Sequence, residues 1–164
     1  MNSKTSKQRT AEEPNLSKIT EILIDECRMI LPGIQALFGF QLVAVFNSTF
    51  HEKLTSLEQE LHLLAIALIG LAIGIIMTPP AYHRQIGPQH VTEQFIHLTT
   101  RLLLISMVPL ALSIGLDLYL ISRLILNNTW VSFLLALGVL ILFVLLWFVL
   151  PRSEVLKRVL GGRP

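Results

Sequence analysis

Four stretches of this chain carry almost no charge, and each is long enough to cross a lipid bilayer. The hydrocarbon core is about 30 Å thick and a helical residue rises about 1.5 Å, so a spanning helix needs roughly 20 mainly apolar residues. From Met29 to about Phe50 there is no charged residue or histidine, and none from Leu63 to Tyr82, where Pro79 and Pro80 close the second stretch. A third runs from near Arg101 to about Ile121, interrupted by Asp117. The fourth, Trp130 to Leu150, is the most apolar and stops at Pro151. Because it carries no charged side chain, a lipid-facing place is expected for it.

Composition agrees with a membrane solvent. Of 164 residues, 52% are apolar and 15% charged, against roughly a quarter charged in ordinary soluble domains. The reading is an all-α integral membrane four-helix bundle over residues 29–150. A disordered cytoplasmic tail is expected at 1–14, where no apolar signal-peptide core appears. An amphipathic interfacial helix is expected at 15–28, and a short basic cytoplasmic tail at 151–164.

Lysine and arginine distribution sets the orientation. Five precede the first span, two lie between the second and third, and four follow the last, leaving one in each remaining loop. Eleven against two places both termini and the Pro79 to Arg101 loop in the cytoplasm. Basic residues at membrane borders suit anionic lipid headgroups and not a nucleic-acid footprint. The aromatics Trp130, Tyr119, Phe50, Tyr82 and Trp147 fall where interfacial belts belong.

Within a bilayer, helices associate through close backbone approach and a few polar contacts. "GLAIG" places Gly70 and Gly74 four apart with Ala67 a turn earlier, and Gly33, Ala36 and Gly39 offer a similar face on the first span. These faces are read as a packing seam, within the chain or between copies. The lone Cys27 is read as a small apolar residue on a helix face. Leu16, Ile19, Leu23 and Cys27 recur at helical period opposite Glu21, Asp25 and Arg28, the pattern of a surface helix capped by Asn15 or Ser17. Pro32 is expected to kink the chain as it enters the membrane. "NST" at Asn47 and "NNT" at Asn127 match the glycosylation sequon, a short pattern that is given no weight.

Polar residues inside the spans need partners. Gln35 lies roughly 10 Å beyond Arg28 at the helical rise, and Gln41 stands near the midplane. Each is either structural glue or the lining of a polar path. Asp117 is sharper, because an ionised acid at the bilayer centre costs about 2.5–3.5 kcal/mol and such residues are functional candidates by default. It sits near the outer end of its span, within reach of Arg123, so a boundary residue and a cation or proton site both remain open. Pro109, midway along the same helix, frees the carbonyl of Ile105.

The cytoplasmic side gathers a collar of charge. Glu93, His97 and Arg101 share one helix face, and Tyr82, His83 and Arg84 close the second span. Asp25, Glu26 and Arg28 stand at the same level and are expected to pair with Arg84 or Arg101. The collar is either a salt-bridged rim or an ion-accepting vestibule. No histidine or cysteine pair has metal-site spacing, no cofactor motif occurs, and no phosphate loop, nucleophile elbow or paired intramembrane carboxylate appears. Neither an enzyme nor a bound metal is expected.

"ECR", then "GIQALFGF", then "PPAYHR" and Arg101 resemble an uncharacterised bacterial family of small four-span membrane proteins, a domain of unknown function. The resemblance covers Ile19 to Trp147 and rests on Glu26, Arg28, Gly33, Gln35, Leu37, Phe40, Tyr82, His83, Arg84 and Arg101. Pro32 and Gln41 depart from the pattern. The resemblance implies a bacterial inner membrane protein, and some members carry a sodium:proton antiporter label. Two functions stand: an accessory or structural component docking lipid or a membrane-protein partner through its collar, and an oligomeric cation or proton pathway. In the second, Asp117 binds the ion, Gln35 and Gln41 line the route, and Glu26 with Arg28 gates it.

Overall fold

The computed structural model describes residues 3–86 and 92–152, with 3–15, Ser17 and Ile86 described by backbone alone. The fold is all-α, and no strand occurs among the described residues. Helices α1 (Ser3–Val45), α3 (Ser56–Ile86), α4 (Glu93–Leu126) and α5 (Thr129–Val144) are long, and α2 (Ser48–Lys53) is a short connector. Four helical stretches are long and apolar enough to cross a membrane: Lys18–Val45, Ser56–Gln85, Glu93–Leu126 and Thr129–Arg152. That fits a four-helix bundle. His90 and residues 153–164 of the tail expected at 151–164 lie outside the described residues.

The interfacial segment and the first span form one continuous helix, α1, which passes unbroken through Pro32. Its backbone is helical from Ser3, so Asn15 and Ser17 lie inside it and not at its start. The span ends at Val45, earlier than Phe50. The cause is Asn47, whose extended backbone and side-chain oxygen, accepting from the Thr49 amide at 3.0 Å, start α2 afresh. Asn128 does the same for α5, accepting from the Trp130 and Val131 amides. Before it, Asn127 takes a left-handed φ of 49°, a conformation asparagine tolerates. Both sequon-like stretches thus serve as helix starts.

Pro79 and Pro80 do not end the second span; α3 continues through them to Ile86. A proline removes one amide donor and crowds the carbonyl four residues back. Here the ring φ matches the helix, both prolines are buried, and the turn before them is braced by the Thr78 hydroxyl donating to the Gly74 carbonyl at 2.9 Å. Pro109 is likewise accommodated inside α4. Pro151 acts differently. Ahead of it the helix widens to a π turn over Leu145–Val149, with the Leu150 amide reaching the Leu145 carbonyl five residues back, and then tightens to a 3₁₀ turn, Leu150–Arg152.

The chain divides into two compact units, one of Met1–Ala44 with Ala67–Leu110 and the other of Val45–Ile66 with Ala111–Pro164. The first has a core of Cys27, Leu31, Ile34, Ile69 and Ile76, with Leu37, Phe38, Ile73, Leu103 and Leu110 packed against it. The second closes tightly where α4 meets α5: a Cβ added at Gly115 would lie 2.9 Å from Leu140. Elsewhere α5 buries only Ser132 and Ala136. It is the least buried of the four spans, as its uniform apolarity implies. Large apolar side chains such as Met29, Phe40, Phe46 and Trp130 stand exposed, which suits lipid as the surrounding solvent.

Candidate functional site

Two adjoining clefts in the first unit gather Asp25, Arg28, His83 and Arg84 of the charged collar. Glu21, Asp25 and Arg28 recur along one face of α1, while Ala81 and Arg84 stack on one face of α3. Glu21, Asp25, Arg28, His83 and Arg84 line a cleft of about 190 Å³. Arg28 and Arg84 also line a second, of about 380 Å³, whose remaining wall includes Leu31, Met77, Ala81 and Gln85. Pro80 borders both. Arg28 makes its ion pair within its own helix, 3.4 Å from Asp25, instead of with the arginine-bearing helices named above. Like charges would repel, so that expectation fails on sign for Arg28. Tyr82 stacks on Phe95 with ring centroids 5.4 Å apart, and the His83 ring lies 6.2 Å from the same phenylalanine. Glu93, His97 and Arg101 are exposed, as is Glu26.

In the second unit the polar residues form cross-helix pairs. Asp117 Oδ1 lies 3.6 Å from His62 Nδ1, with side chains only 16% and 9% exposed. Phe50 of α2 packs edge-on against the same imidazole at 5.1 Å. Arg123 reaches Glu58, at 3.7 Å, and donates to Asn127 at 3.0 Å. Glu58 also closes the start of α3, accepting from the Thr55 amide and hydroxyl at 2.9 and 2.8 Å, a capping box. The Ser113 hydroxyl donates to the Ala65 carbonyl at 2.8 Å, a second tie between α3 and α4.

Gln35 and Gln41 do not share a face. Six residues turn a helix through about 600°, leaving the two side chains some 120° apart. Gln35 is exposed, and Gln41 is 4% exposed. The glycine faces are not the seam within the chain either. Gly33, Ala36, Gly70 and Gly74 are exposed and Gly39 half-buried, and an added Cβ at any of these four glycines would meet nothing within 4 Å. The seam inside the first unit is made instead by the Cys27, Leu31 and Ile34 face against Ile69 and Ile76. The faces differ because Gly70 is one residue, about 100°, from Ile69. No group of three histidine, cysteine or acidic side chains converges among the described residues.

These residues lie within a matched family. A family model described as a family of unknown function (DUF6328) matches residues 10–151. The chain belongs to the DUF6328 family. Comparison with curated proteins and with solved structures finds no match. Every collar residue of this DUF6328 chain, and both members of the His62–Asp117 pair, fall inside the matched segment.

Sequence reasoning missed His62, Glu58 and Gly115. The signal for the first was depth: His62 borders the outer end of the second span, and Asp117 sits near the outer end of the third. Matching polar residues by depth pairs them. Glu58 was legible as the fourth residue of "TSLE", a capping-box spacing. Gly115 had no partner glycine to announce it.

Proposed function

We propose that this DUF6328 protein is a non-enzymatic accessory component of the bacterial inner membrane, with both termini cytoplasmic, whose charged collar is a docking surface for lipid headgroups or a membrane-protein partner. The observation that carries the reading is the pair of clefts on α1 and α3, where Arg28 and Arg84 stand together over an apolar wall. Guanidinium groups are suited to docking because they stay charged and present planar forks of donors. The orientation rests on the lysine and arginine distribution. A photo-crosslinking side chain placed at Gln85 in cells tests the reading. Adducts to lipid or protein that weaken at least fivefold with Arg84→Ala support it, and adducts indifferent to Arg84 overturn it.

A second reading, an ion or proton pathway built from two or more copies, draws on one observation: a carboxylate and an imidazole are held together inside two spanning helices. Proton and sodium flux into liposomes carrying the purified protein, run beside Asp117→Asn, tests it. Flux abolished by that change favours transport, and tight liposomes with folded protein leave the docking reading alone.

A further inference from the structure

We infer that the clefts of α1 and α3 form a binding site for one zwitterionic aminophospholipid, a phosphodiester with a primary ammonium group and acyl tails; the inference rests on the docking reading and names its ligand. The argument begins with the order of side chains along two helices. On α1, Glu21, Asp25, Arg28 and Leu31 follow at spacings of four, three and three, so they lie on one face and change from acid to base to apolar toward the span. On α3, Arg84, Ala81 and Met77 repeat the change from base to apolar at spacings of three and four. The two faces line the same clefts. From acids to apolar floor is ten residues, about 15 Å of helix, a length that admits a headgroup and the start of its tails.

Each level matches one part of the lipid. The two guanidiniums take the phosphodiester, for which bidentate donor geometry is well suited. Glu21 and Asp25, in the outer cleft with both arginines, accept from the ammonium, which has three donors and no acceptor. Leu31, Met77 and Ala81 in the inner cleft receive the acyl chains, methionine adapting its shape to an irregular surface. Charge balance selects among lipids: two acids, two arginines and His83 line the same cleft, and Arg28 already meets Asp25 at 3.4 Å, so a zwitterion adds a cation for the acids where an anionic glycerol headgroup adds none. A soluble phosphate would leave the apolar wall without purpose. The cleft side chains lie at the end of candidate spans α1 and α3, where a phospholipid is already present at high local concentration.

The test is native mass spectrometry of the full chain released from detergent, after exposure to equal amounts of phosphatidylethanolamine, phosphatidylcholine and phosphatidylglycerol. One phosphatidylethanolamine per chain is expected to survive, preferred at least fivefold over phosphatidylglycerol. Arg28→Ala with Arg84→Ala should lower its retention at least tenfold. Glu21→Gln with Asp25→Asn should erase the preference, so that phosphatidylglycerol binds at least as well. Arg28 and Asp25 are more than half exposed, and circular dichroism checks that the variants fold. If the arginine pair impairs folding, the acid pair decides alone. Equal retention of all three lipids by the unaltered chain, or a preference that survives neutralising the acids, overturns the proposal. If lipid preference is absent while Arg84-dependent protein crosslinks persist, the lipid is wrong and the docking surface stands. Absence of both overturns both.

Discussion

Asp117 Oδ1 and His62 Nδ1 stand 3.6 Å apart in a largely buried setting that ties α4 to α3. The pair becomes a charge-assisted contact when the imidazole is protonated. It places the acid inside the apolar run of α4 beside a partner on α3, which lowers the cost of keeping it there.

Removing one member leaves the other buried beside an apolar gap. His62→Ala should cost about 1–3 kcal/mol, including the lost packing of Phe50 on the ring, whereas Asp117→Asn retains shape and an acceptor and should cost less. Reversible unfolding in mixed micelles measures both, and a His62→Ala chain as stable as the parent would refute the contact.

The two kinds of glycine should respond in opposite ways. Gly115→Leu forces a side chain into Leu140, and overpacking of this kind costs typically 1–3 kcal/mol. Gly70→Ala and Gly74→Ala meet nothing within 4 Å. They should be neutral or stabilising, by at most about 1 kcal/mol from helix propensity. Thermal unfolding of the three single variants checks the contrast. A Gly74→Ala chain that loses self-association while keeping its monomer stability would show that the exposed face contacts another copy.

Thr99 is fully buried, and its hydroxyl has no hydrogen-bond partner among the described residues. Exchanging it for a methyl of the same shape removes an unsatisfied group, so Thr99→Val should stabilise the chain or leave it unchanged, by up to about 1 kcal/mol. A loss of more than that in the same unfolding assay would mean that the hydroxyl is bonded.

Cys27 is 0% exposed at the centre of the first unit's core. A water-soluble maleimide should therefore leave it unmodified in the folded protein and label it fully after denaturation in SDS. Rapid labelling of the native chain would show that the α1 face opens.

What was legible in the sequence follows from the range of each signal. Long apolar runs bounded by charge are local, and they delivered four spanning helices with α5 the least buried. Helix ends were harder. Phe50 is read from the charge-free run that stops at His51, and Pro80 from the rule that proline closes a helix, but the chain restarts at Asn47 through a single side-chain bond and continues past Pro79 because the rings fit a helical φ. Packing was least legible. A GxxxG spacing identifies a smooth face without saying what meets it, and here Ile69, one residue before Gly70, and Ile76, two after Gly74, make the seam. Pairings such as Arg123 with Glu58 depend on relative helix rotation, and no single helix encodes that.

The two adjacent prolines of α3 have a mechanical consequence. With no amide hydrogen at positions 79 and 80, the carbonyls of Ile75 and Ile76 lose their regular donors, and two consecutive rungs are missing from one helix. The turns on either side are joined by torsions and packing instead of a continuous hydrogen-bond ladder. The final stretch carrying Arg84 is therefore compliant in bending relative to the stretch carrying Ile69. The α1 wall of the cleft loses a single rung, at Pro32, so the α3 wall is the more yielding of the two and can adjust to what the cleft holds with no unfolding of either helix.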